Sequence, residues 1–298
     1  MEHRYDHKPV MLFEVLKYLD LKTSGIYVDG TLGLAGHSQE ILRKIDRTGQ
    51  VIGFDQDQES LKKAQDILKS FSAQCSFVHS NFCHIPDFLK KQKIHGVDGI
   101  LLDLGVSSVQ LDDSQRGFSF REDGPLDMRM DQSGPSSAFD LVNGLSESEL
   151  SEIFKEYGQE RWHRRIAKHI VFSRQNSPIE TTGVLSDVIL QAIPKGVRRQ
   201  KIHPATRTFQ AIRIVVNQEL SVLEKILEDG IECLLPKGRF VVISFHSLED
   251  RIVKKVFKEK AKLGLVKLIE KKPVHPSEEE VNNNSRARSA CLRVVERI

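Results

Sequence analysis

Residues 29–38 have the sequence Asp29-Gly30-Thr31-Leu32-Gly33-Leu34-Ala35-Gly36-His37-Ser38, a glycine-rich turn between a short apolar run and an amphipathic pattern. Glycine permits a tight turn and lets a ligand approach the backbone closely. A turn of this kind, between a strand and a helix, is typical of ligand sites in α/β proteins. The stretch therefore predicts both a fold class and the place where a ligand binds.

The sequence around this turn alternates strand-like and helix-like patterns. Apolar runs predict strands at residues 25–29, 50–55, 74–79 and 97–104, and amphipathic patterns predict helices at 38–45 and 58–70. Such alternation predicts a parallel sheet that is covered on both faces and binds its ligand at the carboxyl ends of the strands.

The strand pattern stops after residue 104 and returns near the end of the chain. Helices are predicted at 146–157, 161–174 and 182–193, the first with a capping box of Ser146 and Glu149. A buried strand is predicted at 238–244, and an antiparallel hairpin at 265–270 and 290–297. We therefore predict a Rossmann-like α/β core, formed by residues 1–110 and 206–298, with an inserted, mainly helical domain at 111–205.

Composition excludes several classes of protein. Among 298 residues, 39% are hydrophobic and 29% are charged, and no apolar run approaches the length needed to cross a bilayer. Residues 1–20 mix charged with apolar side chains, unlike a signal peptide, so we expect a cytoplasmic protein. The four cysteines form no C-x-x-C pair, which argues against zinc and a disulfide framework and predicts buried thiols. The histidines show no H-x-x-x-H spacing on a convincing helix, so we predict no metal.

An acidic residue accompanies the glycine turn. Asp55 ends the second predicted strand, 19 residues after Gly36, a spacing that suits a carboxylate binding ribose hydroxyls. Both NAD enzymes and methyltransferases have this arrangement. The pattern here is G-x-x-G-x-x-G and no helix start is dedicated to a pyrophosphate, which favours S-adenosylmethionine, a cofactor without phosphate. A nicotinamide-dependent oxidoreductase remains the alternative at this stage.

Two further residues end strands on the same predicted edge. Phe82 follows the third strand, where it can lie against an adenine or pack in the core. Asp103 closes the apolar fourth strand, where a carboxylate must be solvated, cap a loop or hold a charged group.

Positive charge is concentrated in one segment. Residues 161–213 carry eleven Lys or Arg against two acids, a net charge of +9 within a chain whose total is +3. This favours a phosphate backbone as partner over a solvated helix face, because two acids cannot neutralise eleven bases. Either an enzyme acting on RNA or a non-catalytic RNA-binding assembly factor fits this pattern. Aromatic side chains that can stack a base, or simply pack, are Phe118, Phe120 and Trp162.

Several motifs together resemble the MraW/RsmH family of bacterial ribosomal RNA cytosine-N4 methyltransferases, and they recur in order over nearly the whole chain. Besides the glycine turn and residues 101–110, they are His7-Lys8-Pro9-Val10-Met11-Leu12, Arg116-Gly117-Phe118-Ser119-Phe120, Gly124-Pro125-Leu126-Asp127-Met128-Arg129-Met130-Asp131, His203-Pro204-Ala205-Thr206-Arg207-Thr208-Phe209-Gln210, Ser244-Phe245-His246-Ser247-Leu248-Glu249-Asp250-Arg251 and Arg286-Ala287-Arg288-Ser289-Ala290.

The resemblance implies a class I S-adenosylmethionine-dependent methyltransferase sheet and a target cytidine in the decoding centre of 16S ribosomal RNA, on small ribosomal subunits. The resemblance does not indicate whether the protein is a monomer or a homodimer. With the glycine turn, the implied cofactor contacts are Gly33, Ala35, Gly36, His37, Asp55, Phe82, Asp103 and Gln110. Candidate contacts to the RNA are Arg116, Phe118, Phe120, Arg198, Arg199, Lys201, Arg207 and His246.

Asp103 is also the candidate catalytic residue. The lone pair of an amine on a pyrimidine ring is delocalised, so methyl transfer needs in-line positioning and an acceptor for the amine hydrogens. This carboxylate, or a nearby backbone carbonyl, is the expected acceptor. The chain departs from the family pattern at Ala35, where a glycine is usual, and at Cys291, where a lysine is common. A methyl group at Ala35 is tolerated if its φ is negative, and the sequence does not decide the sign.

Overall fold

The described residues of the computed structural model, 9–197 and 203–298, belong to two units. Unit 1 comprises Met1–Ser107 and Leu220–Ile298, and unit 2 comprises Ser108–Glu219. The sequence places the insert at 111–205, so unit 2 begins slightly earlier and ends fourteen residues later than that expectation.

Unit 1 contains a mixed sheet with the strand order β3-β2-β1-β4-β5-β7-β6. The strands β1 to β5 are parallel, while β7 runs antiparallel to both β5 and β6. This topology confirms the predicted Rossmann-like sheet and its terminal hairpin. The strands are β1 (Ile26–Asp29), β2 (Gln50–Asp55), β3 (Cys75–His79), β4 (Val97–Asp103), β5 (Leu234–Ser244), β6 (Val266–Leu268) and β7 (Cys291–Arg297).

The described residues form helices α1 (Leu12–Leu19), α2 (Gly36–Lys44), α3 (Gln58–Ile67), α4 (Ile85–Lys91), α5 (Ser108–Asp112), α6 (Ala138–Gly144), α7 (Glu147–Glu156), α8 (His163–Arg174), α9 (Thr182–Ala192), α10 (Thr206–Val216), α11 (Glu219–Asp229), α12 (Ser247–Lys262) and α13 (Glu278–Asn283). Within this part of the chain, no helix is both long and apolar enough to span a membrane.

Helices cover both faces of the sheet, and the middle of each central strand is therefore largely apolar. Successive residues of β4 illustrate the alternation: Leu101 packs in one core cluster, and Ile100 and Leu102 pack in the other. All three side chains are buried. Two cores on opposite faces hold the carboxyl ends of β1, β2 and β4 in fixed positions, and the candidate site lies at these ends.

Unit 2 is a helical unit in which α7 packs on α8, α8 on α9, and α10 on α6 and α7. Ser146 Oγ accepts a hydrogen bond from the Glu149 N–H, and the Glu149 carboxylate accepts one from the Ser146 N–H, which confirms the predicted capping box. Phe209 and Ile212 of α10 are buried. Unit 2 extends past residue 205 because α10 packs on α6 and α7. The amphipathic pattern of α10 predicts a helix but does not indicate which neighbouring helices its apolar side contacts.

The cysteines are free thiols, two of them buried (Cys83 and Cys291) and two half-buried (Cys75 and Cys233). Burial raises the pKa of Cys75, Cys233 and Cys291 to about 11 in each case. These thiols are therefore protonated and weakly nucleophilic at neutral pH.

Candidate active site

The glycine turn is fastened to the neighbouring strands by backbone hydrogen bonds. Gly30 N–H donates to the Leu101 carbonyl of β4 at 2.9 Å, and Leu32 N–H donates to the Phe54 carbonyl of β2 at 2.9 Å. A Cβ on Gly30 would lie 2.4 Å from Cδ2 of Leu102, so a larger residue there would force this buried side chain to move. The turn is thus held at the carboxyl ends of three adjacent strands, as the sequence predicted for this fold.

Ala35 does not meet the condition under which its methyl group is tolerated without strain. That condition is a negative φ, and the φ of Ala35 is +57°, in the left-handed region. The positive φ arises because the chain reverses at this residue to begin α2, with Ala35 N–H donating to the Leu32 carbonyl at 2.7 Å. A left-handed conformation costs an L residue about 1–2 kcal/mol, which accounts for the glycine that is usual at this position in the family.

Asp55 is bonded directly to the glycine turn. Its Oδ2 accepts a hydrogen bond from Gly33 N–H at 2.8 Å, and its Oδ1 accepts one from Asp57 N–H at 2.8 Å. Burial nevertheless raises the pKa of Asp55 to about 7. Each carboxylate oxygen keeps a further lone pair that can accept a hydroxyl hydrogen, so the group can bind ribose hydroxyls beside the turn.

Asp29 is a site residue that is not among the cofactor contacts predicted from the sequence. Its Oδ2 accepts a hydrogen bond from Ser38 Oγ at 2.7 Å, and its Oδ1 accepts one from Thr31 N–H at 3.2 Å. The side chain is buried, and burial raises its pKa. The available signal was an acidic residue at the first position of the glycine turn, where it can brace the turn from inside.

His37 and Asp103 carry polar atoms that the protein does not satisfy. Nε2 of His37 lies 3.5 Å from Oδ2 of Asp103 but forms no hydrogen bond with it. Among the described residues, neither ring nitrogen of His37 nor Oδ1 of Asp103 has a hydrogen-bond partner, although these atoms are buried. Each such buried polar group costs about 1–3 kcal/mol. Unsatisfied groups of this kind at a sheet edge indicate a ligand that completes them.

Asp103 is held in place through its backbone, and Phe82 lines the same region. Asp103 N–H donates to Thr31 Oγ1 of the glycine turn at 2.7 Å. Phe82 is half-buried, packs partly against one core cluster, and has its Cβ 3.1 Å from the position that a Cβ on Gly30 would take. Seven of the eight predicted cofactor contacts, all except Gln110, therefore lie in unit 1 around the glycine turn. Gln110 is a buried residue of α5 in unit 2.

The predicted RNA contacts Arg116 and Phe118 have roles inside unit 2. Nη2 of Arg116 donates to the carbonyl oxygens of Arg129 and Met130 at 3.0 Å each, and the residue is only 2% exposed. Phe118 is 7% exposed. The sequence left open whether Phe118 stacks on a base or packs in the core, and its burial supports packing in the core.

The other predicted RNA contacts differ in how accessible they are. The Phe120 ring packs against His203 and Phe209, with centroids 4.6 and 4.8 Å away. Arg207 is exposed and donates to the Gln159 carbonyl at 3.2 Å. His246 forms a capping box with Glu249 at the start of α12. Arg198, Arg199 and Lys201 lie outside the described residues.

The charges around the glycine turn suit a cation better than an anion. Three carboxyl groups, those of Asp29, Asp55 and Asp103, end the three adjacent strands β1, β2 and β4. A pyrophosphate placed here would meet like charge, whereas the sulfonium of S-adenosylmethionine would meet opposite charge. The unsatisfied atoms of His37 and Asp103, the open turn and the carboxylate for ribose hydroxyls all fit this cofactor.

The fold and the site define a Rossmann-like, S-adenosylmethionine-dependent methyltransferase. A family model described as the MraW methylase family matches residues 4–298, and the chain belongs to this family. A protein of Halothermothrix orenii named "Ribosomal RNA small subunit methyltransferase H" is 50% identical over 98% of this chain and 99% of its own length. A protein of the same name from Clostridioides difficile is 49% identical over 99% of both chains.

Solved structures resemble the chain more distantly. A crystal structure of a putative rRNA methylase from Clostridium thermocellum aligns with 98% of this chain and 100% of its own, at 10% identity and a TM-score of 0.44. The fold assignment therefore rests on the strand order and the family membership.

Proposed function

We propose that this chain transfers the methyl group of S-adenosylmethionine to the exocyclic N4 amine of a cytidine in the decoding centre of 16S ribosomal RNA, within small ribosomal subunits in the cytoplasm. The observation that carries the proposal is the cluster of His37, Asp55 and Asp103 at the glycine turn, in which His37 is buried and the two acids are half-buried. This cluster suits a cationic cofactor with ribose hydroxyls. The names of relatives about half identical over their full length support small-subunit ribosomal RNA as the substrate.

Each site residue has a defined task in this proposal. When bound, the cofactor supplies an electrophilic methyl group on a positively charged sulfur. Asp55 accepts hydrogen bonds from ribose hydroxyls, while its bond to Gly33 keeps its carboxylate at the turn. Phe82 offers an apolar surface for the adenine ring. The carboxylate of Asp103 places negative charge where the positive sulfur is bound, and Asp29 braces the turn through Ser38 and Thr31.

Asp103 has a second task as the proposed catalytic residue. Its Oδ1 is buried and has no hydrogen-bond partner among the described residues, so it can accept a hydrogen bond from the attacking amine and then the proton that the amine loses when it gains the methyl group. Localising the amine lone pair in this way makes the nitrogen a better nucleophile, and positioning it in line lowers the entropic part of the barrier.

Methyl transfer to isolated subunits tests the proposal. Small subunits that lack native N4 methylation are incubated with the protein and labelled S-adenosylmethionine, and the RNA is digested to nucleosides for mass identification. The proposal predicts label in N4-methylcytidine. If the protein binds the cofactor but labels neither subunits nor naked ribosomal RNA, the proposed target is wrong and a non-catalytic assembly factor becomes the better account.

A further inference from the structure

One side of α8 is apolar and buried, and the opposite side is basic and exposed. Ile166, Ala167 and Ile170 are buried within unit 2. At 100° per residue, the positions of α8 opposite this stripe include 164, 165, 168 and 172. What we call the α8 basic face consists of Arg164, Arg165 and Lys168 on the helix and Arg161 in the turn before it, all of them exposed.

The charge of the α8 basic face is not neutralised within the described part of the protein, where no carboxylate forms an ion pair with any of its four side chains. Other cations of the basic segment are used internally. Arg174 donates to the carbonyls of Val142 and Leu145, and Arg213 forms two hydrogen bonds with the Glu219 carboxylate. Arg174 and Arg213 therefore stabilise unit 2, whereas the cations of the α8 basic face remain available to bind a partner.

Two aromatic residues accompany the α8 basic face. The Trp162 ring contacts two of its guanidinium groups, with its centroid 5.4 Å from that of Arg161 and 5.6 Å from that of Arg165. Such contacts limit the freedom of the long side chains and so lower the entropic cost of binding. Phe172 is two turns after Arg165 on the same side of the helix, and it is 68% exposed. An exposed aromatic ring beside a row of cations suits stacking on a base of a bound nucleic acid.

We infer that the α8 basic face and Phe172 form the surface by which unit 2 docks on RNA. The cations contact backbone phosphates, and Phe172 stacks on an unpaired base or packs against a ribose. The segment from residue 164 to residue 172 is about 12 Å long, enough to follow several phosphates of one RNA helix. This inference rests on the proposed function and assigns the docking role to α8 instead of Arg116 and Phe118, which are buried.

Salt-dependent binding to small ribosomal subunits tests the inference. The triple variant Arg164→Ala, Arg165→Ala, Lys168→Ala is compared with a control that removes three exposed lysines of α12, Lys254→Ala, Lys255→Ala, Lys258→Ala. We expect the α8 variant to bind on the order of tenfold more weakly, with a slope of log affinity against log salt less steep by about 3, and the control to bind like wild type. Phe172→Ala is expected to weaken binding at unchanged slope, whereas Phe13→Ala, equally exposed on α1, leaves binding unchanged.

All substituted side chains are exposed, so each variant is expected to fold like wild type. Cofactor affinity and thermal melting of each variant check this. If the α8 variant binds subunits with the affinity and slope of wild type while wild type methylates them, the inference is wrong and the proposed function stands. If wild type neither binds nor methylates subunits, both are wrong. A loss of affinity equal in the α8 and α12 variants would also contradict a specific role for α8.

Discussion

Nε2 of His37 lies 3.5 Å from Oδ2 of Asp103, and both side chains bury polar atoms that have no hydrogen-bond partner among the described residues. The pair joins the helix after the glycine turn to the end of β4. Two unsatisfied side chains cost stability, so their presence is best explained by what they bind.

His37→Phe tests this explanation, because phenylalanine keeps a ring and removes both nitrogens. We expect the melting temperature of the cofactor-free protein to stay the same or rise, since an unsatisfied buried group is lost, while the affinity for S-adenosylmethionine falls on the order of tenfold. Thermal melting with and without cofactor measures both effects. His95→Ala, at an exposed position before β4, is the control. A variant with wild-type cofactor affinity would give His37 only a structural role.

Asp103→Asn tests the proposed catalytic task. The substitution removes the charge and leaves the size of the side chain unchanged, so we expect the rate of methyl transfer at saturating substrate to fall by about 100-fold or more. Single-turnover assays on subunits measure the rate, and calorimetry measures cofactor affinity separately. Asp87→Asn, an exposed carboxylate on α4, is expected to react like wild type. Full turnover by the Asp103 variant at saturating cofactor would remove this residue from the chemical step.

The raised pKa of Asp55 predicts how stability depends on pH. With a folded-state pKa of about 7 and a lower one in the unfolded chain, the folded protein binds more protons between about pH 4 and pH 7. The contribution of Asp55 to the free energy of unfolding therefore decreases as pH rises through this window.

Urea unfolding of wild type and Asp55→Asn from pH 5 to pH 8 measures this contribution. We expect the variant to gain stability relative to wild type as pH rises, because asparagine does not ionise. A difference between the two proteins that does not change with pH would show that the carboxyl group titrates normally. Asp140→Asn is the control, because hydrogen bonds from Ser137 lower the pKa of Asp140 and this group stays ionised over the whole range. Its stability difference from wild type is therefore expected to stay constant from pH 5 to pH 8.

Ala35→Gly tests the strain at the start of α2. Relief of the left-handed conformation offsets the greater entropy of glycine in the unfolded chain, so we expect the free energy of unfolding to change by less than about 1 kcal/mol. Ala64→Gly, at an equally buried position inside α3, is expected to destabilise by about 1 kcal/mol or more. Equal losses at the two positions, measured by denaturant unfolding, would contradict strain at Ala35.

Arg116→Ala separates a structural from an RNA-contacting role. Loss of the two hydrogen bonds to the carbonyls of Arg129 and Met130 is expected to destabilise the protein by about 2–4 kcal/mol. Denaturant unfolding measures the loss, and Arg121→Ala, at an exposed position nearby, should unfold like wild type. Wild-type stability combined with weaker subunit binding would instead support direct contact between Arg116 and RNA.

Local patterns predicted much of the fold. β2 begins and ends at the predicted residues, and the capping box of α7 and the terminal hairpin are present. These features depend on residues close together in the chain, or on continuous apolar runs that must be buried. The glycine turn and Asp55 belong to the same class, because the spacing between a turn and the next strand end is characteristic of the fold.

Features that depend on distant contacts were not predictable. The polar sequence around Arg116 gives no indication that its guanidinium meets carbonyls thirteen and fourteen residues later. The positive φ of Ala35 follows from the chain reversal before α2, and the residue type alone does not reveal its sign. Asp29 was not predicted as a site residue because an acidic residue beside a turn usually only caps that turn. Here its carboxylate is also buried against Ser38.

A crystal structure of the wild-type protein with S-adenosylmethionine tests the central claim most directly. The account predicts ribose hydroxyls within hydrogen-bond distance of the Asp55 carboxylate, and partners on the ligand, or on water that it holds, for the polar atoms of His37 and Asp103. A cofactor bound away from the carboxyl ends of β1, β2 and β4, with these atoms still unsatisfied, would contradict it.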